Sequence, residues 1–590
     1  MKQDLPLNNP KIQEKGENKV KKFFVILALV CLFGFQAFAQ QAEYLQPQPL
    51  SQVVKVSVRP VSTTGATKVP TITWGGDIAT VLAEMEGFFR DEGWNVTLFR
   101  EDNFAKQVEM CLSGETPFLR GTMGMINAAA DAFKAHGQEL VVIYQMTWSV
   151  GGDAMVVRKG KKLSNIKTVA LQLYGPHMDY AANLFANAKR LDKVQFKYLK
   201  ELYEPDYDTR GKIVDPVSAF RADSSLDAVM CIIPDALALS SGGTVGDGSE
   251  GSVKGAKIEL STKTASRIIS DVYAVRKDYF DANRSKVQGY VKALMRGEEA
   301  LRDLLADKAS NQAKYRQLIS KSATLLLGAP TLTGDTEALL GDCEYVGHAG
   351  NIAFFTGKGT SRTLATLTKE IQASFRTLGL MTGTVPIASA GWDYNALGSG
   401  LKYAVAAAAP APAPKKAFDT KKVARYVESK VAAEAATWEE EGTLFKVEIF
   451  FDPNQNEFPV SRYSNDYQEA LSLVDTNRGA LITIEGHTNP YNFQKREQEG
   501  ASSQELAQIK QTGKNLSLQR AQAVRNTFLA FAKNKGVVLD ETRFYATGRG
   551  IDAPKHPEMK TKQQWNENRR VVFLVKQIEA EAEEFVPLKK

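Results

Sequence analysis

The chain has 590 residues, too long for a single hydrophobic core; at roughly 100–200 residues per domain it is expected to form about three to five compact units. Its hydrophobic fraction of 43% and charged fraction of 24% are those of ordinary globular protein, which excludes disorder throughout and fibrous architecture. The formal net charge is +7, of which residues 1–39 carry +3, so the remaining +4 is too thin to make the basic face a nucleic-acid partner would need.

Lys19, Lys21 and Lys22 precede an apolar run from Phe23 to Phe35, and Ala37-Phe38-Ala39 follows. A positive start, a short apolar stretch and small residues at a cleavage site make a secretory signal peptide over 1–39. The alternative is an uncleaved inner-membrane anchor facing the periplasm, since Phe23–Ala39 falls just short of the ~20 apolar residues of a spanning helix. Val30 before Cys31 is bulkier than lipoprotein processing favours. Either way the rest of the chain is exported, and the expected location is the periplasm.

Three cysteines remain after cleavage, Cys111, Cys231 and Cys343, and their apolar neighbours predict buried small side chains rather than a disulfide framework. The five histidines are scattered, with no H-x-x-x-H pair and no G-x-S-x-G element. No metal, no cofactor and no enzymatic activity are expected.

Residues 40–67 are rich in Gln, Ser, Thr and Pro and read as an extended lead-in. Apolar strands then alternate with amphipathic helices from Val69 to about residue 400, the pattern of an α/β domain over 68–400. Ala406–Lys416 alternates Ala with Pro410, Pro412 and Pro414, which favours an extended spacer, part of a linker and helix over 401–440. Asp419-Thr420 is expected to cap a helix bearing Val423, Val427, Val431 and Trp438 on one face. A second, smaller α/β unit follows over 441–580, and 581–590 is a tail.

The large domain opens Thr71-Ile-Thr73-Trp74-Gly75-Gly76-Asp77-Ile78, a strand, a Gly-Gly turn and a helix with Ile78, Val81, Leu82, Met85 and Phe89 inward. Free N–H groups at such a helix start suit a carboxylate, sulfonate or phosphate. Together with Gly87-Phe88-Phe89, Glu92-Gly93, Gly121-Thr-Met-Gly-Met125, Lys167–Tyr180 and Phe220–Pro234, this stretch resembles the periplasmic solute-binding proteins of ABC importers, of the nitrate/taurine/sulfonate and thiamine-precursor type. The resemblance covers roughly residues 68–330 and fits 330–400 less well. It implies a bilobed type II periplasmic-binding-protein-like fold closing over a small, anionic solute. Trp74, Gly75, Gly76, Asp77, Trp148, Gly152, Asp153, Tyr174, Gly175, His177 and Asp179 would line the cleft, and an ABC permease or other envelope proteins would be partners. Plainer roles stand beside these: Asp77 an N-cap, Trp148 a core aromatic, His177 an exposed loop residue, Asp179 a first-turn carboxylate.

The C-terminal unit carries four ordered motifs: Glu485-Gly-His-Thr-Asn489, Leu516-Ser-Leu-Gln-Arg520-Ala521, Thr547-Gly-Arg-Gly550 and Asn568-Arg569-Arg570-Val571. They resemble the OmpA-like peptidoglycan-binding domain, which implies capture of the diaminopimelate group of the wall peptide. Thr488, Asn489, Arg520, Asn568 and Arg569 would form that site, with Arg520 holding a carboxylate through paired hydrogen bonds. The family's Asp is Asn489 here, which keeps an acceptor and loses the charge. The segment 491–514 between Asn489 and Arg520 is polar and is expected to be a long loop, with a helix starting at the Ser517 cap.

Together these readings describe an exported, non-enzymatic protein that binds a small solute between two lobes and is tethered to peptidoglycan. The alternative is a scaffold of an envelope complex in which the bilobed fold has lost its solute. An ion-driven stator is disfavoured because Phe23–Ala39 holds no ionisable residue.

Overall fold

The computed structural model describes residues 42–62, 64–203, 212–249, 251–407, 416, 418–433, 437–440 and 442–577. The expected signal segment and the Pro-containing part of the Ala-Pro run, residues 408–415, lie outside the described residues.

The lead-in does more than extend. Leu45 N donates to Tyr198 O at 2.8 Å, Pro47 and Pro49 keep the chain open, and a short helix α1 (Leu50–Val53) then buries Leu50 and Val54 in the main core. Strands β1 (Thr67–Thr71) and β2 (Val96–Arg100) pair in parallel around helix α2 (Asp77–Met85), as a β-α-β connection requires. The expected inward face of α2 is buried at Ile78, Val81 and Leu82, while Phe89 belongs to the next short turn. Strand β3 (Phe118–Thr122), helix α3 (Met123–Ala135) and strand β4 (Leu140–Ser149) complete the outgoing path of the first lobe.

The chain crosses at residues 150–152 into a second lobe. Its sheet runs β7-β6-β8-β5-β9, built from β5 (Asp153–Val157), β6 (Thr168–Gln172), β7 (Gln195–Leu199), β8 (Ala228–Ile232) and β9 (Lys257–Ser261). Helix α4 (Met178–Asn187) follows β6. A second crossover, residues 262–269, returns to β10 (Ser270–Arg276), which lies antiparallel between β3 and β4. Helix α5 (Arg284–Ala306) packs on α2; β11 (Cys343–Tyr345), helix α6 (Gly347–Thr356), helix α7 (Leu364–Thr377) and β12 (Ala388–Ser389) complete the domain, with β11 and β12 both pairing with β4.

Two lobes with two crossovers make the mixed α/β, bilobed architecture. Among the described residues the two lobes share an apolar core. Leu119, Met123 and Ile126 of the first lobe, Leu171, Met178 and Phe185 of the second, and Leu367, Ile371 and Phe375 of α7 belong to one continuous apolar cluster. At ~1.5–3 kcal/mol for each such side chain buried, separating them is expensive.

In the smaller domain, helix α8 (Thr420–Ala433) starts where Asp419 Oδ1 accepts from Lys421 N and Lys422 N, and it buries Val423, Val427 and Val431 as expected. Trp438 joins the same cluster from beyond the helix end. The sheet order is β13-β16-β14-β15, with β13 (Thr443–Phe450), helix α9 (Ser464–Thr476), β14 (Leu481–His487), β15 (Phe544–Gly550) and β16 (Arg570–Lys576). Ile482, Ile484, Val571 and Phe573 face α9 and the long helix that carries Val524 and Phe528; Leu481, Val572 and Leu574 face α8 and Trp438.

The segment 491–514 is not a loop. It forms helix α10 (Tyr491–Gln498) and the first turns of helix α11 (Ser503–Asn534). Ser502 is the cap, accepting from Glu505 N, and Ser517 lies mid-helix with its Oγ donating to Lys514 O. Polarity misled because these turns are wet on most sides; the helical spacing shows in the Arg496 and Lys495 pairs with Glu499, while Arg496 also reaches Glu505 across to the next helix. The motif glycines serve close approach: a Cβ on Gly486 would lie 1.9 Å from Ser517 O, and one on Gly548 2.4 Å from Lys514 O.

Candidate functional site

Three buried polar centres lie where the lobes meet. The first is built around Arg120, a lone charge in the apolar strand β3 and 0% exposed. Its Nε donates to Asp77 Oδ1 at 3.1 Å and its Nη1 to Asp271 Oδ1 at 2.8 Å. Thr147 Oγ1 donates to Asp271 Oδ2 at 3.1 Å and accepts from Trp74 Nε1 at 3.1 Å. Burial pushes the Asp77 carboxyl up to about 6 against the opposing pull of Arg120.

The second centre stitches the crossovers together. Asp153 Oδ2 accepts from Ser149 Oγ at 2.6 Å and its Oδ1 bonds His177 Nε2 at 2.8 Å. Thr262 Oγ1 accepts from Gly151 N at 3.0 Å and from Asp153 N at 3.2 Å, while Thr262 N donates to Asp153 O at 2.9 Å.

The third is Asp179, 2% exposed, in the first turn of α4. Its carboxylate points across the lobe junction at the first turn of α3: a Cβ on Gly124 would meet Asp179 Cγ at 2.6 Å. Neither oxygen has a hydrogen bond of ordinary geometry; the groups that favour its charged form are the backbone N–H groups of Asp179, Gly124 and Tyr180. Burial outweighs them and pushes this carboxyl up to about 8. Two helix starts thus converge on one position, and the chain fills it with its own carboxyl group, held largely in the neutral form by burial.

What space remains is small. A cavity of about 30 Å³ lies between Thr73, Trp74, Asp102, Thr122, Asp153 and Asp271. A water needs roughly 10–15 Å³ and ligand clefts usually offer about 300–1,000 Å³, so this is a water-sized space. Among the described residues its lining holds three carboxylates and no cationic side chain. These described residues offer no cationic partner to the anionic solute that the sequence leads us to expect.

Of the residues expected to line a cleft, Trp74 and Asp153 face the cavity. Asp77 and Asp179 belong to the polar centres beside it. His177 is 0% exposed and paired, so it is not an exposed loop residue. Trp148 is core, with Phe354 at its edge and Arg267 over its face. Tyr174, at φ 57°, sends its hydroxyl away to Gln48 O at 2.7 Å. The glycines make room for protein: added Cβ atoms would strike Leu339 O at Gly75, Thr147 and Trp74 at Gly76, Trp74 at Gly152 and Gln172 at Gly175. Arg120 and Asp271 were missed, although a charge inside Phe118-Leu-Arg-Gly-Thr122 or Ile268-Ile-Ser-Asp271-Val is a legible signal of a buried pair.

Among the described residues no group of three or more His, Cys, Asp and Glu is arranged to hold a metal, and no helix is long and apolar enough to cross a membrane. Cys111 and Cys231 are buried as expected, whereas Cys343 is half-buried.

In the smaller domain the expected wall site does converge at one end of the sheet, but differently occupied. Arg520 is 0% exposed, and its guanidinium donates to Gln455 O, His487 O and Asp452 O at 2.8, 3.2 and 3.1 Å. It is not free to take a ligand carboxylate in this conformation. Asn489 Nδ2 donates to Trp565 O at 3.0 Å and its Oδ1 accepts from Tyr491 N at 2.8 Å. Asn568 staples the His556 backbone through its Oδ1 and Nδ2, both at 2.9 Å. Arg569 stays half-buried, donating to Phe451 O at 3.2 Å, and its charge helps burial lower Arg520 to about 10. Thr488 Oγ1 and both ring nitrogens of His487 are buried without a partner, and burial together with Arg570 and Arg549 lowers His487 to about 3.

No protein-family model matches the chain, and no curated protein matches it. Among solved structures, it is similar to the aliphatic sulphonate-binding protein SsuA of Escherichia coli, at 16% identity over 54% of this chain and 89% of that one, TM-score 0.36. It is similar to the alkanesulfonate-binding protein SsuA of Xanthomonas axonopodis pv. citri bound to MOPS, at 14% identity over 55% and 97%, TM-score 0.36. A further similarity, to the peptidoglycan-associated lipoprotein of Burkholderia pseudomallei, reaches 21% identity over 22% of this chain and 89% of that one, TM-score 0.17.

Proposed function

We propose that this is an exported, non-enzymatic envelope protein whose bilobed, solute-binding-type domain rests in a closed form liganded by its own side chains, and whose OmpA-like C-terminal domain holds it near peptidoglycan. The observation that carries the reading is Asp179 seated at the facing starts of α3 and α4 beside a cavity of about 30 Å³. A bilobed domain that fills its own lobe junction with the Asp179 carboxyl group has a fixed shape, and fixed shape is what an envelope scaffold needs. On the wall side, Arg569 is the accessible cation and Arg520 the buried support behind it.

A second reading keeps solute capture: the polar lining of the cavity would greet a guest once the lobes part, and its three carboxylates favour a cation or a hydrogen-bond donor over an anion. One experiment separates the two. Asp179→Ala vacates the carboxyl position, so formate or acetate is expected to raise the melting temperature of that variant and leave wild type unmoved. Saturation at a hundredfold excess over Kd corresponds to ~2.7 kcal/mol. Equal responses of variant and wild type would overturn the self-liganded reading.

A further inference from the structure

The smaller domain rests on the crossovers of the larger one. Gly479 N donates to Thr264 O at 3.0 Å and Arg267 N donates to Thr476 O at 3.1 Å, so the α9–β14 turn is hydrogen-bonded along the returning crossover, residues 262–269. The approach is backbone to backbone: a Cβ on Gly479 would lie 2.1 Å from Lys263 O. Beside it, Asp475 is 0% exposed and accepts from Ser361 N and Ser361 Oγ, both at 2.7 Å, and from Thr360 Oγ1 at 3.1 Å. Gly359 N donates to Gly536 O at 3.1 Å, and Gln577 Nε2 donates to Glu259 O at 2.6 Å.

Arg267 relays this contact inward. Its carbonyl accepts from Arg362 Nε at 3.0 Å, its Nη2 donates to both Glu344 oxygens at 2.8 and 2.7 Å, and its guanidinium lies 5.4 Å over the Trp148 ring. Trp148 and Glu344 are register partners on β4 and β11, and the next residue, Ser149, is the last of β4 before the outgoing crossover. Thr262, at the start of the returning crossover, is the residue that stitches Gly151 and Asp153. The contact with the smaller domain therefore touches the strand ends about which the lobes would have to rotate. Because it is made of polar side chains and backbone groups, with little apolar surface, it can come apart without unfolding either domain.

We propose that the C-terminal domain is a latch on the hinge of the bilobed domain: docked through Asp475–Gly479 it holds both crossovers and keeps the lobes shut, and undocking lets them part. This would connect occupation of the wall domain to the state of the lobes. The proposal rests on the closed resting state described above.

The test is amide hydrogen exchange on the full chain. Slow exchange at 149–153 and 172–179 in wild type establishes the closed state; fast exchange there would sink both the closed reading and the latch. In Gly479→Val, which cannot dock, those same segments are expected to exchange about tenfold faster, with strand 570–576 unchanged. Asp475→Asn, which keeps the shape and removes the charge, is the second variant and decides if the first disturbs 570–576. Faster exchange limited to 262–268 and 475–479, with 149–153 and 172–179 still protected, would overturn the latch while leaving the closed reading intact. No change at 262–268 in either variant would overturn it as well, because the contact would then be absent in solution.

Discussion

The lobe junction and the C-terminal sheet end solve the same problem in opposite ways. At the junction, Arg120 is flanked by Asp77 and Asp271, and His177 by Asp153, so each of these buried basic side chains meets carboxylates of its own domain. At the sheet end, Arg520 is held by three backbone carbonyls and has Arg569 as a charged neighbour. The first region closes its own electrostatic account. The second relies on backbone carbonyls for Arg520 and has Asp452 as the nearest charge acting on Arg569.

Breaking the first region should cost most. Arg120→Met leaves two buried carboxylates without their cation and is expected to remove ~3–5 kcal/mol from the large domain, read as a loss of its denaturation transition or a large fall in midpoint. Ile371→Ala, which cuts the shared apolar cluster on α7 rather than the charges, should cost about 2–5 kcal/mol in the same assay. A lowered midpoint with Arg120→Met but none with Ile371→Ala would mean that the lobes do not share a core.

The two regions should respond to pH with opposite signs. Asp179 and Glu298 have carboxyls raised to about 8, above their unfolded values, because burial disfavours the charge. Between roughly pH 4 and 8 the folded large domain binds more protons than the unfolded chain, so its stability falls as pH rises through 8. His487 is lowered to about 3, so the smaller domain loses stability as pH falls below the unfolded histidine value near 6.5. Moving from pH 8 to pH 5.5 should raise the large-domain transition and lower the small-domain one in a calorimetric scan. Parallel movement would contradict the assigned charge states.

The smallest effect on stability is expected at Arg569. Arg569→Ala should change the midpoint by under about 1 kcal/mol yet reduce co-sedimentation of the chain with purified sacculi. Arg520→Ala should destabilise the smaller domain first, by ~1–3 kcal/mol, because three carbonyls lose their donor. If Arg569→Ala sediments as wild type does, the accessible-cation assignment is wrong.

Much of the architecture was legible because it rests on periodicity. The four-residue spacing of Val423, Val427 and Val431 names the buried stripe of α8, and alternation in Leu481–Ile484 names both faces of β14. What misled was polarity without context. Residues 491–514 read as loop because helical spacing in a wet segment shows only through ion pairs, and the site residues read as cleft because glycines that admit a ligand and glycines that admit Trp74 or Gln172 look alike in sequence. The role of Asp179 could not be foreseen from its position in α4, since its partner surface, the start of α3, lies far away in the chain.

The central claim is that the closed domain supplies its own ligand. A thermal-shift screen of the full wild-type chain against sulfonates, nitrate, amino acids, pyrimidines and simple cations tests it most directly. The account predicts no stabilisation by any of them. Saturable stabilisation of the large-domain transition by one class would show that the lobes open to a solute and would contradict it.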